Sequence, residues 1–192
     1  PVKNTFKSVW IIDNQTVMVP IKGTFEMDIM HRFGTVNKGY EDFWGFFAPS
    51  NIRLGVNYAP IKKLFLGIGI TKSNMLWDGN IKYSIITQSQ KGGYPVSVTY
   101  YANMAYDTRK DPDASLFKYN TNRFSYFHQL IIARKVTDRL SVQVAPSLSH
   151  QNFVYGFYKQ VDSATRTIAN AMNHNHIAIA FSARYKLTDV TS

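Results

Sequence analysis

Cysteine is absent from the chain, so neither a disulfide framework nor a thiolate metal site or nucleophile is available. Also missing is any hydrophobic run approaching the roughly 18 residues of a spanning helix. Charged or amide side chains interrupt every apolar stretch, which excludes a helical membrane protein. No shift in composition divides the 192 residues, and we read 1–192 as a single domain. There is no Gly-rich phosphate cradle either, because Gly67 and Gly69 sit inside an alternating segment, where glycine relieves crowding.

Acidic residues are scarce: 12 Asp and Glu stand against 22 Lys and Arg, for a formal charge of +10. Such an excess suits nucleic acid, anionic lipid or acidic polysaccharide. The basic residues are scattered, as Lys62, Lys63, Arg109, Lys110, Arg134, Lys135 and Arg139, mostly at the ends of apolar alternations rather than along one stripe. That is the arrangement of a headgroup-facing rim, and no nucleic-acid partner is expected.

What the chain has in abundance is aromatic residues, 12 Tyr, 13 Phe and 3 Trp, set in a rhythm of two. Ile21, Gly23, Phe25, Met27 and Ile29 alternate with Lys22, Thr24, Glu26 and Asp28. The same parity runs through residues 52–58, 64–71, 77–85, 96–107, 123–132, 140–149 and 177–187. Successive side chains of a strand point to opposite faces, so each segment reads as a strand with one greasy and one polar side. Several alternations run about 9 to 13 residues, matching the ~9 to 11 of a tilted transmembrane strand rather than the ~5 to 6 of soluble sheets. Trp77, Tyr83, Tyr94, Tyr100, Tyr106, Phe124, Tyr126 and Tyr185 lie on or beside the apolar faces, often near strand ends, as interfacial girdles do.

Connections alternate as a membrane barrel requires: residues 59–63, 88–94 and 135–139 are short, while 34–50, 108–122 and 150–173 are long. The link at 73–76 is short where a long one is expected. Residues 1–20 lack clean alternation, since Val9, Trp10, Ile11 and Ile12 form a continuous apolar run, and they are read as a rim or plug segment. The expected fold is therefore all-β, an antiparallel up-and-down transmembrane barrel of eight or more strands. The chain ends at Leu187 to Ser192 without the closing aromatic residue common in bacterial outer-membrane barrels, and we expect the natural chain to continue past Ser192.

Thr5-Phe6-Lys7, the tract His31-Arg32-Phe33-Gly34, the strand start Ser50-Asn51-Ile52-Arg53-Leu54-Gly55 and the late Asn173-His174-Asn175-His176-Ile177-Ala178 carry a resemblance. Over nearly the whole chain it resembles an uncharacterised barrel family of Bacteroidota outer membranes, labelled DUF5777. The resemblance implies an exported outer-membrane barrel whose members continue with further strands. It implies no activity and no site residues.

Candidate chemistry is thin. Glu26, Asp28 and Arg32 share one face of the first clear strand, and paired carboxylates suit acid-base work or a cation. With Arg53, Asp78, Lys82, Asn103 and Arg184 they fit an interior ion-pair network better, because charged interiors are the norm in membrane barrels. His174 and His176, two apart, are weak metal candidates without an Asp, Glu or Cys to complete a set. Ser149 and His150 point to opposite faces, so no nucleophile-base pair is read and the chain is expected to be no enzyme and to need no cofactor. The expected function is a narrow channel for small solutes or a structural scaffold in the outer membrane, touching lipid and other envelope proteins. The alternative is a soluble or periplasmic barrel that binds a lipophilic ligand within its apolar face.

Overall fold

The computed structural model describes residues 2, 5–89, 92–112, 115–160 and 166–187. Two short strands, β1 (Trp10–Ile11) and β2 (Asn14–Gln15), form an N-terminal hairpin. The main sheet comprises β3 (Phe25–Arg32), β4 (Asn51–Tyr58), β5 (Leu64–Thr71), β6 (Leu76–Ile86), β7 (Ser97–Asp107), β8 (Phe124–Lys135) and β9 (Leu140–Gln151). After a small hairpin of β10 (Gly156–Gln160) and β11 (Arg166–Asn170) comes β12 (Asn175–Tyr185), which completes an eight-stranded antiparallel sheet in the order β12-β9-β8-β7-β6-β5-β4-β3. Each strand pairs with its neighbour along the main sheet, the up-and-down meander that the alternation requires. The sheet is not closed: β3 and β12 are its edges.

The parity of the sequence sets which side faces out. Phe25, Leu66 and Ile179 are 66%, 40% and 58% exposed, whereas Asp28, Asn57, Asp78, Lys82, Thr99, Gln129 and Gln143 are buried on the opposite, concave face. The apolar interior of a soluble lipophile-binding barrel is therefore not what these strands build. Trp77, Tyr106 and Phe124 stand in one cross-strand row near the long loops. Tyr83 and Tyr100 face each other near the short turns, so aromatic bands lie toward both ends of the outer face.

Two particulars differ from the reading of the sequence, and a third, the short link at 73–76, agrees with it. Ile21 to Thr24 precede β3 rather than belong to it, because Gly23 takes φ +87° in a turn and Thr24 N–H donates to Ile21 O at 3.1 Å. The link between β5 and β6 closes within a short 3-10 turn, with Asn74 and Met75 both at positive φ. And the concave face is not wholly polar: Phe6, Val17, Tyr101, Ile131, Ala133 and Ala145 form a small buried core, with Val9, Ala59 and Phe65 as a second. Apolar side chains carried in by the N-terminal segment are buried there only if the wall facing them is apolar too.

The long loops carry structure of their own. Asp111 accepts hydrogen bonds from the backbone N–H of Phe117, Leu116 and Ser115 at 2.8, 3.0 and 3.1 Å, which hold its carboxyl below the usual carboxylate range. Phe117 is buried under the guanidinium of Arg123 at 4.3 Å, and Arg109 donates to Tyr155 at 3.1 Å, linking two of the loops. The terminal tract from which a continuing chain was expected, residues 188–192, lies outside the described residues.

Candidate functional site: the stoppered concave face

The N-terminal segment enters from the end of the short turns, where Val2 N–H donates to Gln88 O at 2.6 Å, and leaves there too, Gly23 N–H donating to Ala59 O at 2.8 Å. Between these points the β1–β2 hairpin lies against the concave face, and the polar side chains of the wall hold its backbone. Gln143 donates to Gln15 O at 2.8 Å and accepts from Val17 N–H at 3.0 Å; Thr99 donates to Val17 O at 2.9 Å. Lys82, only 1% exposed, donates to Gln15 Oε1 at 2.9 Å and to Val9 O at 3.4 Å. Buried backbone groups need such partners, and here the inward Gln, Thr and Lys residues supply them. The tip reaches both edges of the sheet: Asp13 pairs with Arg32 of β3 at 2.9 Å, and Asn14 donates to Ser182 of β12 at 3.0 Å. Because adjacent residues touch the first and last strands, the sheet must wrap around the hairpin.

Beside the hairpin, toward the long loops, lies the charged centre. Strand register sets Asp28, Gly55, Gly69 and Asp78 in one row across β3 to β6. The guanidinium of Arg53 lies over the two glycines with a carboxylate at each end. It donates to Asp78 through Nε at 2.8 Å and Nη2 at 2.6 Å, and stands 3.7 Å from Asp28. Asn103 donates to Asp78 at 3.2 Å, and Asn57 donates to Asp28 at 2.5 Å. A Cβ on Gly69 would sit 2.6 Å from Cζ of Arg53, and one on Gly55 would sit 2.5 Å from Nη1, so the row is glycine because the guanidinium occupies the space. Gly69→Ala is accordingly expected to destabilise the protein by about 1–3 kcal/mol through overpacking. The loss should shrink in an Arg53→Met background, as read by equilibrium urea unfolding of both pairs.

Of the eight residues expected to line the interior, Asp28, Arg53, Asp78 and Asn103 come together. Lys82 serves the hairpin instead of a carboxylate, and Arg32 binds Asp13 at the tip. Glu26 lines a separate cavity with Lys7, and Arg184 stands opposite Ser141 on the edge strand. His174 lies before the first residue of β12, its Nδ1 2.6 Å from Gln151 O, and His176 stands opposite Ser149. Among the described residues no group of three or more His, Cys, Asp or Glu is placed to hold a metal ion. Trp10, Asp13, Gln15, Tyr101 and Gln129 were not foreseen as site residues. Only Gln129 carried a signal, as an amide at an inward position; Tyr101 is an aromatic at inward parity, and the hairpin's partners are remote in sequence.

Across residues 6–192 the chain matches the family model described as "Membrane bound beta barrel domain (DUF5777)". The chain belongs to this family. Neither a curated protein nor a solved structure matches it. As a member of a membrane-bound barrel family, the domain has its exposed apolar stripe where acyl chains would cover it. In this barrel domain the concave face, where Arg53 and the hairpin lie, is the side enclosed by the wall.

Proposed function

We propose that this domain is a non-enzymatic outer-membrane barrel acting as a scaffold, its bore stoppered by its own N-terminal hairpin. The observation that carries this is the set of hydrogen bonds from Lys82, Thr99, Gln129 and Gln143 to hairpin residues 9–17. Each is worth about 0.5–1.5 kcal/mol net, and together with the apolar contacts of Phe6 and Val17 they oppose thermal withdrawal of the hairpin. A narrow channel would need a continuous polar path, and the hairpin lies along the concave face, from Gln88 and Ala59 at the short turns to Arg32 at the end of β3. Lipid is the partner of the outer face, and the built loops at the far end are the surface on offer to other envelope proteins.

Planar-bilayer recording tests the reading. The full chain should insert without steady conductance, and a deletion of residues 8–16 should produce discrete openings. Steady conductance by the unaltered chain would overturn the scaffold in favour of a narrow solute channel.

A further inference from the structure

The loop from β3 to β4 sets its rings outward: Phe33, Tyr40, Phe43, Trp44, Phe46 and Phe47 are between 43% and 81% exposed. Beyond β7, by contrast, Phe117 is buried, its ring 5.1 Å from that of Phe153. Aromatic side chains carry ~150–250 Å² each, so these six leave on the order of 700 Å² bare, more than the ~300–600 Å² of the largest apolar patch on a typical monomer. We propose that this loop is a membrane-interface anchor, lying in the lipid surface on the long-loop side of the bilayer and holding the open β3 edge of the sheet there. The inference goes beyond the scaffold reading. It needs the bilayer around the barrel rather than the stopper within it, and it takes this loop out of the surface offered to envelope proteins.

Two observations select lipid over a protein partner. First, the patch extends the outer face of the wall. Phe25, Met27 and Ile29 are outward positions of β3, and His31 and Phe33 continue their parity. From there the rings run on: His31 meets Phe33 at 4.5 Å, Phe33 meets Phe46 at 4.7 Å, and Phe46 meets Phe43 at 5.9 Å. Phe43 in turn meets Trp44 at 5.4 Å, Phe47 at 5.6 Å and Tyr40 at 6.4 Å. The lipid that covers one end of this row is therefore in reach of the other. Trp and Tyr, each an apolar ring with a polar handle, are enriched where acyl chains meet headgroups.

Second, the loop meets its own hydrogen-bonding needs. Every backbone N–H from Phe43 to Ala48 is paired within it. Phe43 donates to Tyr40 O at 3.2 Å, Trp44 to Gly39 O at 2.6 Å and Gly45 to Asp42 Oδ1 at 2.9 Å. Phe46, Phe47 and Ala48 donate to Phe43 O, Asp42 O and Gly45 O at 3.2, 3.1 and 3.3 Å. Acyl chains supply no acceptor, so backbone that enters lipid must satisfy its own donors, a condition that a protein partner would not impose. The turn accepts strain to do so. Phe43 and Trp44 stand at φ 52° and 55°, where bulky residues are rare, and Gly45 follows at 85°, where a Cβ would lie 2.5 Å from Gly34 O. Lys38 and Glu41, exposed in the same loop, hold it at headgroup depth rather than in the hydrocarbon.

The chain has no cysteine, so one nitroxide label can be placed without background. The full chain carrying Phe47→Cys, or Lys118→Cys in the loop after β7, is labelled and reconstituted in phosphatidylcholine vesicles at a high lipid-to-protein ratio. At position 47 collisions with oxygen, which partitions into lipid, should exceed those with a water-soluble nickel chelate; at position 118 the order should reverse. Equal chelate access at the two positions overturns the proposal. So does a label at 47 screened from both reagents, which would mean cover by protein, and so does shielding that appears only when the barrels are crowded, which would assign the patch to a second copy. Trp44 reports independently of the labels. The emission lost on Trp44→Phe should be quenched more by lipids brominated near the headgroup end of the acyl chain than by lipids brominated near its tip, and absence of that quenching overturns the anchor whether or not the labelled variants insert. A conducting barrel with position 47 in lipid would sink the scaffold and leave the anchor standing; a silent barrel with position 47 open to the chelate would do the reverse.

Discussion

Replacing Asp78 by alanine is expected to cost about 3–5 kcal/mol of stability, the usual consequence of leaving a buried charge without its partner. Arg53 and Asp78 have side chains 13% and 7% exposed and are joined by two hydrogen bonds, through Nε at 2.8 Å and Nη2 at 2.6 Å. Without Asp78, the guanidinium keeps only Asp28 at 3.7 Å, and Asn103 loses its acceptor. Equilibrium urea unfolding from lipid vesicles should show a lowered midpoint with an unchanged slope. The double variant Arg53→Met/Asp78→Ala should recover much of the loss, because an apolar pair of similar volume removes the stranded charge. A loss below about 1 kcal/mol for Asp78→Ala alone would mean that the guanidinium is solvated, and the cradle described above would not be a buried unit.

The second large effect is expected on the other side of the wall. Ile68 is 56% exposed, lies near the middle of β5 and stands in a row with Val56 and Gly79. In a bilayer, Ile68→Arg should destabilise by about 2–4 kcal/mol, the cost of a cation near the hydrocarbon midplane. The same change at Tyr83, close to the short turns, should cost only about 0–1 kcal/mol, because a side chain there reaches the headgroups. On a water-facing surface both substitutions would fall within about 0.5 kcal/mol of neutral. Urea unfolding of the two variants in vesicles therefore separates the readings: a depth-dependent penalty supports lipid contact, and two neutral outcomes would remove it.

Strand parity was legible because it is a local property: whichever neighbours a strand has, residues two apart share a face. Hence the outward Phe25, Leu66, Ile179 and the inward Asp28, Asp78 and Lys82 could be assigned before any pairing was known. Where the local rule fails, the failure has a local cause, as at Gly23, whose left-handed backbone turns Ile21 and Lys22 away from the strand that their alternation imitates. Partner choice was not legible. Asp28 and Asp78 are equally inward by parity, yet Asp78 takes the bidentate pair with Arg53 and Asp28 does not, and only the register of four strands sets the glycine row between them.

The hairpin marks the same boundary more sharply. Its continuous apolar run, Val9 to Ile12, conceals the period of two, because its residues meet different surroundings: Val9 is buried, Trp10 and Ile11 are half-buried against the two small cores, and Ile12 is exposed at the left-handed turn of the hairpin. Sequence alone determined that this chain makes long antiparallel strands with one greasy and one polar side, since alternation along the backbone carries that information by itself. Tertiary structure alone decided that the polar side is stoppered by residues 9–17 and that Arg53 lies between two carboxylates, because those contacts join residues far apart in sequence and exist only once the sheet has curled around the hairpin.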